Sequence, residues 1–113
     1  MNSEQIVASL KALMEEGQTP GKVLTDAADL DNYGKDWTKI YPPKPVAIVL
    51  PKTTEQVQAL VRFANENQGA LVPSGGRTGL SAGAVAANGE VVVAFDNMNQ
   101  ILDFNASDRT VRC

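Results

Sequence analysis

The sequence predicts an α+β fold in which a parallel βαβ unit opens the organised part of the chain and continues into a mixed sheet. Two observations predict it. Two short apolar runs, 46–50 and 70–72, flank one amphipathic stretch with helix-capping residues, joined by short links. A third apolar run follows at 91–95 and two strand-like segments at 101–104 and 110–113, with no helical pattern after the loop.

Residues 3–16 begin the chain with a helical pattern. Ser3 can cap it, Glu4 suits its positive end, and Ile6, Val7, Leu10, Leu13 and Met14 fall on one face. Gly17, then Pro20, stop it. The stretch 18–44 has little periodicity: a short helical turn is expected around 26–33, and Pro42-Pro43 marks an extended connection. Val46-Ala47-Ile48-Val49-Leu50 is apolar throughout, as in a strand buried on both faces, and Pro51 ends it. Thr53 and Gln56 have capping-box spacing and open a helix with Val57, Leu60, Val61 and Ala64 on one face; Gly69 is expected to close it. Ala70-Leu71-Val72 then reads as a second strand, parallel to the first through a right-handed crossover.

A glycine-rich loop follows, from Pro73 to Gly83. Val91–Phe95 is a third strand, 97–100 a turn, and 101–104 and 110–113 two strands joined through 105–108. The last run reaches Cys113 without a polar stop, as expected of a chain that breaks off inside a domain. The expected division is an N-terminal helical extension over 1–41 and the first part of a larger domain over 42–113.

Composition excludes several kinds of chemistry. The chain has 113 residues, no histidine and one cysteine, so no intrachain disulfide, Cys/His metal cluster or histidine-based nucleophile pair can form. Ten basic and thirteen acidic residues give a formal charge of −3 without any basic cluster, which argues against a nucleic-acid partner. No apolar run approaches the roughly 20 residues of a membrane span, and the N-terminus resembles neither a signal nor a transit peptide, so a cytoplasmic location is expected.

The loop is the best candidate for function. Glycines at 75, 76, 79 and 83 permit positive φ angles and leave no side-chain bulk, so several N–H groups can converge on an anion. Arg77 adds the loop's only full charge, and Ser74, Thr78 and Ser81 add hydroxyls. A phosphate or pyrophosphate suits such a loop, placed as it is after a strand; a flexible connector has the same composition. The spacing matches neither the ATP-type phosphate loop nor the dinucleotide fingerprint.

Pro45-Val46-Ala47-Ile48-Val49-Leu50-Pro51, Thr53-Thr54-Glu55-Gln56-Val57 and Pro73-Ser74-Gly75-Gly76-Arg77-Thr78-Gly79-Leu80 together resemble the FAD-binding domain of the vanillyl-alcohol oxidase superfamily, the p-cresol methylhydroxylase type. The chain is most similar to the glycolate oxidase and D-lactate dehydrogenase branch, which includes D-2-hydroxyglutarate dehydrogenases. Tyr33-Gly34-Lys35-Asp36-Trp37 is similar to a segment of that branch. The resemblance implies a first subdomain of an FAD-binding domain. Its pyrophosphate would be wrapped by Pro73, Ser74, Gly75, Gly76, Arg77, Thr78 and Gly79, largely through main-chain N–H groups, with Leu80 and Ser81 continuing along the cofactor. Some members attach FAD through a histidine in the pattern G-G-H; Arg77 stands there in this chain, which implies non-covalent FAD.

The implied reaction is oxidation of a D-2-hydroxy acid to a 2-keto acid, with substrate-orienting and proton-removing residues supplied from outside these 113 residues. No catalytic or metal-binding residue is therefore assigned. A UDP-N-acetylenolpyruvylglucosamine reductase-like enzyme and a non-catalytic nucleotide-binding module are the alternatives. Among other residues, Trp37 and Tyr41 are expected to pin the Pro-rich connection to the core, Asp96 to form a turn rather than act as a catalytic carboxylate, and Cys113 to be a buried strand residue.

Overall fold

The computed structural model describes residues Met1–Cys113. In chain order the elements are α1 (Ser3–Glu15), β1 (Lys22–Leu24), α2 (Ala27–Tyr33), β2 (Ala47–Leu50), α3 (Thr54–Asn67), β3 (Leu71–Ser74), β4 (Val91–Ala94), β5 (Asp103–Asn105) and β6 (Thr110–Arg112). The fold is α+β with a mixed sheet. Four strands lie in the order β1-β2-β4-β3, and β5-β6 form a separate antiparallel hairpin.

The two strands of the βαβ unit are parallel, as expected, but they are not neighbours. β4 inserts between them and pairs in parallel with both, Ile48 opposite Val92 and Val72 opposite Val92. Every residue of β2 and β4 is buried, which is why both read as unbroken apolar runs. β1 adds an antiparallel edge, Val23 opposite Val49. It went unseen in the sequence because three residues beside a glycine are too few to show alternation.

The sheet is covered on both faces. On one, Leu10 and Met14 of α1 and Leu60 of α3 pack against Ala47, Val49, Val91 and Val93. On the other, Ile48, Leu50, Val92, Ala94 and Ala86 form a second cluster under Leu30 and Tyr33 of α2. Burial of the α1 stripe removes two whole side chains from water, each worth about 1.5–3 kcal/mol.

Helix ends depart from expectation in instructive ways. Asn2, not Ser3, caps α1, in a reciprocal capping box with Gln5. Thr53 caps α3 by accepting from the Gln56 N–H at 3.2 Å. The Gln56 side chain does not complete a box; it turns to accept from the Lys52 N–H and donate to the Thr19 carbonyl, both at 2.7 Å. The left-handed residue that ends α3 is Gln68 (φ 53°), and Gly69 only donates its N–H to the Ala64 carbonyl.

Three further expectations are corrected. Trp37 and Tyr41 are exposed, at 66% and 52%, so neither pins the Pro-rich connection to the core. Cys113 is exposed rather than buried. The hairpin strands fall at 103–105 and 110–112 rather than 101–104 and 110–113, and they are solvent-facing throughout, pairing only with each other.

Candidate functional site

β3 and β4 run in parallel with Ser74 opposite Ala94, so the two chains leave the sheet side by side at their C-terminal ends. The Phe95 N–H donates to the Ser74 carbonyl and extends the ladder one step. The glycine loop begins at that point, which in open sheets is the usual position for a ligand. Pro73, Gly75, Gly76, Thr78, Gly79, Leu80 and Ser81 are exposed, Arg77 is half-buried, and Ser74 is fully buried as the loop's root.

The main-chain N–H groups in the middle of this loop are unspent. No backbone N–H from residue 75 to residue 81 donates to a backbone carbonyl. A Cβ built on Gly75, Gly79 or Gly83 would meet nothing within 4 Å, and one on Gly76 would meet only the Thr78 hydroxyl, at 3.9 Å. The glycines therefore keep an approach to the backbone clear, as contact with a phosphate group requires.

They do not supply the turn. Positive φ was the expected use of these glycines, yet in the loop it falls on Arg77 (58°) and Ala82 (64°). Both are held from outside. Arg77 Nη1 donates to Asp96 Oδ1 at 3.1 Å and to Ser74 Oγ at 3.2 Å, while Nη2 donates to Asp96 Oδ2 at 2.9 Å. Its guanidinium carbon lies 4.6 Å from the centre of the Tyr33 ring. The Ala82 N–H donates to Asp36 Oδ2 at 3.1 Å, and Asp36 Oδ1 accepts from the Thr38 hydroxyl at 2.6 Å and its N–H at 3.0 Å. The Trp37 N–H donates to the Gly79 carbonyl, so the 33–38 segment braces the loop along its length.

Charge follows this geometry. The hydrogen bond from Arg77 holds the Asp96 carboxyl below its usual range, against the opposing effect of burial. Asp96 in return raises the affinity of Arg77 for its proton. Asp36 is held low first by the Thr38 hydroxyl, with the Ala82 N–H contributing. Arg77, expected to be the loop's available positive charge, is neutralised in place. Asp96 lies in a turn, as expected, and is also this ion-pair partner.

The sequence marked the Tyr33–Trp37 segment only by resemblance; the contacts of Tyr33 and Asp36 with the loop, and the pairing role of Asp96, escaped it. The Asp-x-Thr spacing at 36–38 is a local side-chain-to-backbone turn signal. Asp96 had no local signal, since its place beside Arg77 depends on strand order. The largest cleft, about 650 Å³, lies elsewhere, between the start of α3 and the segment after β4, and includes Lys52, Phe95, Met98 and Cys113. No helix is long and apolar enough to cross a membrane.

Known proteins resemble this chain in sequence and in structure. A family model described as an FAD binding domain matches residues 45–113. A D-2-hydroxyglutarate dehydrogenase of Stutzerimonas stutzeri (strain A1501) is 65% identical over 113 residues, covering 100% of this chain and 24% of that protein. One from Xanthomonas citri pv. viticola is 58% identical over 90 residues, covering 80% of this chain and 19% of that protein. The chain thus spans less than a quarter of the length of either. The crystal structure of p-cresol methylhydroxylase with substrate bound superimposes with a TM-score of 0.68 at 26% identity, over 90% of this chain and 20% of that one.

Proposed function

Because the chain belongs to the FAD binding domain family, we propose that its glycine loop holds the pyrophosphate of FAD in a D-2-hydroxyglutarate dehydrogenase. The supporting observation is the exposed run of main-chain N–H groups from 75 to 81, none of them donating to a backbone carbonyl, at the C-terminal edge of a parallel sheet. A pyrophosphate accepts hydrogen bonds and brings negative charge, and such a run of donors suits both. Gly75, Gly76 and Gly79 allow close approach, while the Ser74 hydroxyl is committed to Arg77 at the loop's root. Thr78, Leu80 and Ser81 are exposed beside the cleared backbone and extend the contact.

Bound FAD supplies an acceptor for the hydride leaving the α-carbon of a D-2-hydroxy acid, which becomes a 2-keto acid. The part played by this chain is to bind and orient. It offers no histidine, and the two low carboxylates nearest the loop, Asp36 and Asp96, are bound up in loop contacts. By the family resemblance, the base and the substrate carboxylate's partner come from outside these residues. Attachment of the cofactor is non-covalent, since Arg77 stands at the position of the linking histidine and its guanidinium is already bound by Asp96.

The visible spectrum of the full-length protein, before and after acid precipitation, tests this reading. A flavin chromophore that leaves with the supernatant and is bleached by D-2-hydroxyglutarate is expected. Colour kept in the pellet would refute non-covalent binding. A colourless protein that takes up no added FAD would refute the reading as a whole.

A further inference from the structure

We propose that the Arg77 side chain positions the loop and does not bind phosphate: with Asp96 it forms a latch that holds the glycine loop open for the cofactor. The inference rests on the reading of that loop as the FAD site. Its first support is the backbone. A residue with a Cβ is disfavoured at φ 58°, so contacts that hold the Arg77 side chain offset a backbone cost in the loop. Its guanidinium is held by two bonds, one to each oxygen of a single carboxylate, a pairing matched to its planar fork.

The anchors are drawn from three separate elements. Ser74 ends β3, Asp96 follows β4, and Tyr33 ends α2. One side chain thus ties the loop to both strands beneath it and to the helix beside it. The other end of the loop repeats the device, where the left-handed Ala82 is fixed by the Asp36 carboxylate. Each non-glycine residue of left-handed φ in the loop is paired with a carboxylate from outside it. The exposed residues 78–81 lie between the two.

The electrostatics separate this role from direct phosphate binding. A carboxylate 2.9 Å from the guanidinium cancels the charge that would attract a pyrophosphate. If Arg77 were a phosphate ligand, removing Asp96 would free it and tighten FAD binding. If it is a latch, removing either partner releases the same loop, so both losses should match and should not add.

Full-length protein stripped of flavin and titrated with FAD distinguishes the two. Arg77→Ala, Asp96→Ala and the double variant are compared with wild type, alongside the nearly isosteric Asp96→Asn and the charge-preserving Arg77→Lys. The expected result is an affinity loss of tenfold or more in each single variant and no further loss in the double. Asp96→Asn and Arg77→Lys should also bind more weakly, with the thermal midpoint of the flavin-free protein little changed. Unchanged or tighter binding by Asp96→Asn, or full affinity in Arg77→Lys, would overturn the latch. So would a loss of affinity that merely follows a lowered midpoint of the flavin-free protein. A parallel Gly76→Val variant separates the two ideas. Retained flavin there would refute the loop as the FAD site, whereas lost flavin there with normal binding in Asp96→Asn would refute the latch alone.

Discussion

Replacing Gly76 with valine tests the loop assignment with little disturbance to the rest of the molecule. The glycine is exposed, its φ is not in the left-handed region, and an added Cβ would meet only the Thr78 hydroxyl, at 3.9 Å. Valine should therefore fit the flavin-free protein, with a stability change within about 0.5 kcal/mol. Restriction of the unfolded chain would offset part of any strain, since replacing glycine where the backbone tolerates it contributes about 0.4–1 kcal/mol. The same side chain would project into the space kept clear above the unspent N–H groups and push a pyrophosphate out of hydrogen-bond range. Loss of even two such bonds to a charged group, at about 1.5–3 kcal/mol each, reduces affinity by two orders of magnitude or more. The assay is the flavin-to-protein ratio of the purified full-length variant, with its thermal midpoint measured with and without added FAD. Wild type should gain stability with FAD by mass action, about 2.7 kcal/mol at a hundredfold excess over Kd, and the variant should gain none. A variant with stoichiometric flavin and an undiminished FAD-dependent shift would refute the reasoning.

Three other outcomes are expected. Leu10→Ala removes a fully buried side chain from the contact between α1 and the sheet and should cost about 2–5 kcal/mol, read from chemical denaturation. Gln68→Gly relieves a left-handed conformation at the end of α3 and should raise stability by about 0.5–1 kcal/mol in the same measurement, the gain being reduced by the greater entropy of glycine when unfolded. Acid should loosen the loop: the Asp96 carboxyl lies below its ordinary 3.8 when folded, so the folded state binds fewer protons than the unfolded one just below that value. The contribution is complete above about pH 5 and drains away as pH falls through the lowered value. Asp96→Asn should flatten the fall of FAD affinity with acid in that window, read by titration of the flavin-free protein, and an unchanged fall would count against the pair.

Much of the fold could be read from residue pattern alone, because β2 and β4 are buried on both faces and carry no polar residue to blur them. The α1 stripe was equally plain, and Leu10 and Met14 are indeed the residues it buries. What could not be read was adjacency. Nothing local states that β4 lies between β2 and β3, or that Lys22–Leu24 forms an edge, since pairing is decided by how whole elements cover the sheet. Helix ends were blurred for a related reason. Gln56 had the spacing of a capping-box partner but was drawn away by the Thr19 carbonyl, 37 positions off in the chain.

The site divides along the same line. That the loop suits an anion was legible, because glycines and hydroxyls after a strand are a local fact. How the loop keeps its shape was not. Local reasoning gave the glycines both the turn and the cleared space, and the charge to Arg77; the glycines do clear space, but Arg77 and Ala82 carry the turn and Asp96 pairs with the charge. The cause is the insertion of β4 beside β3, which sets Asp96 within 2.9 Å of Arg77 from 19 positions away. A charged side chain in a phosphate-like loop is therefore poor evidence of a charge contact until its partner is known. Here the partner consumes the charge and leaves the main chain as the source of attraction, so FAD binding should depend less on salt than a side-chain ion pair would.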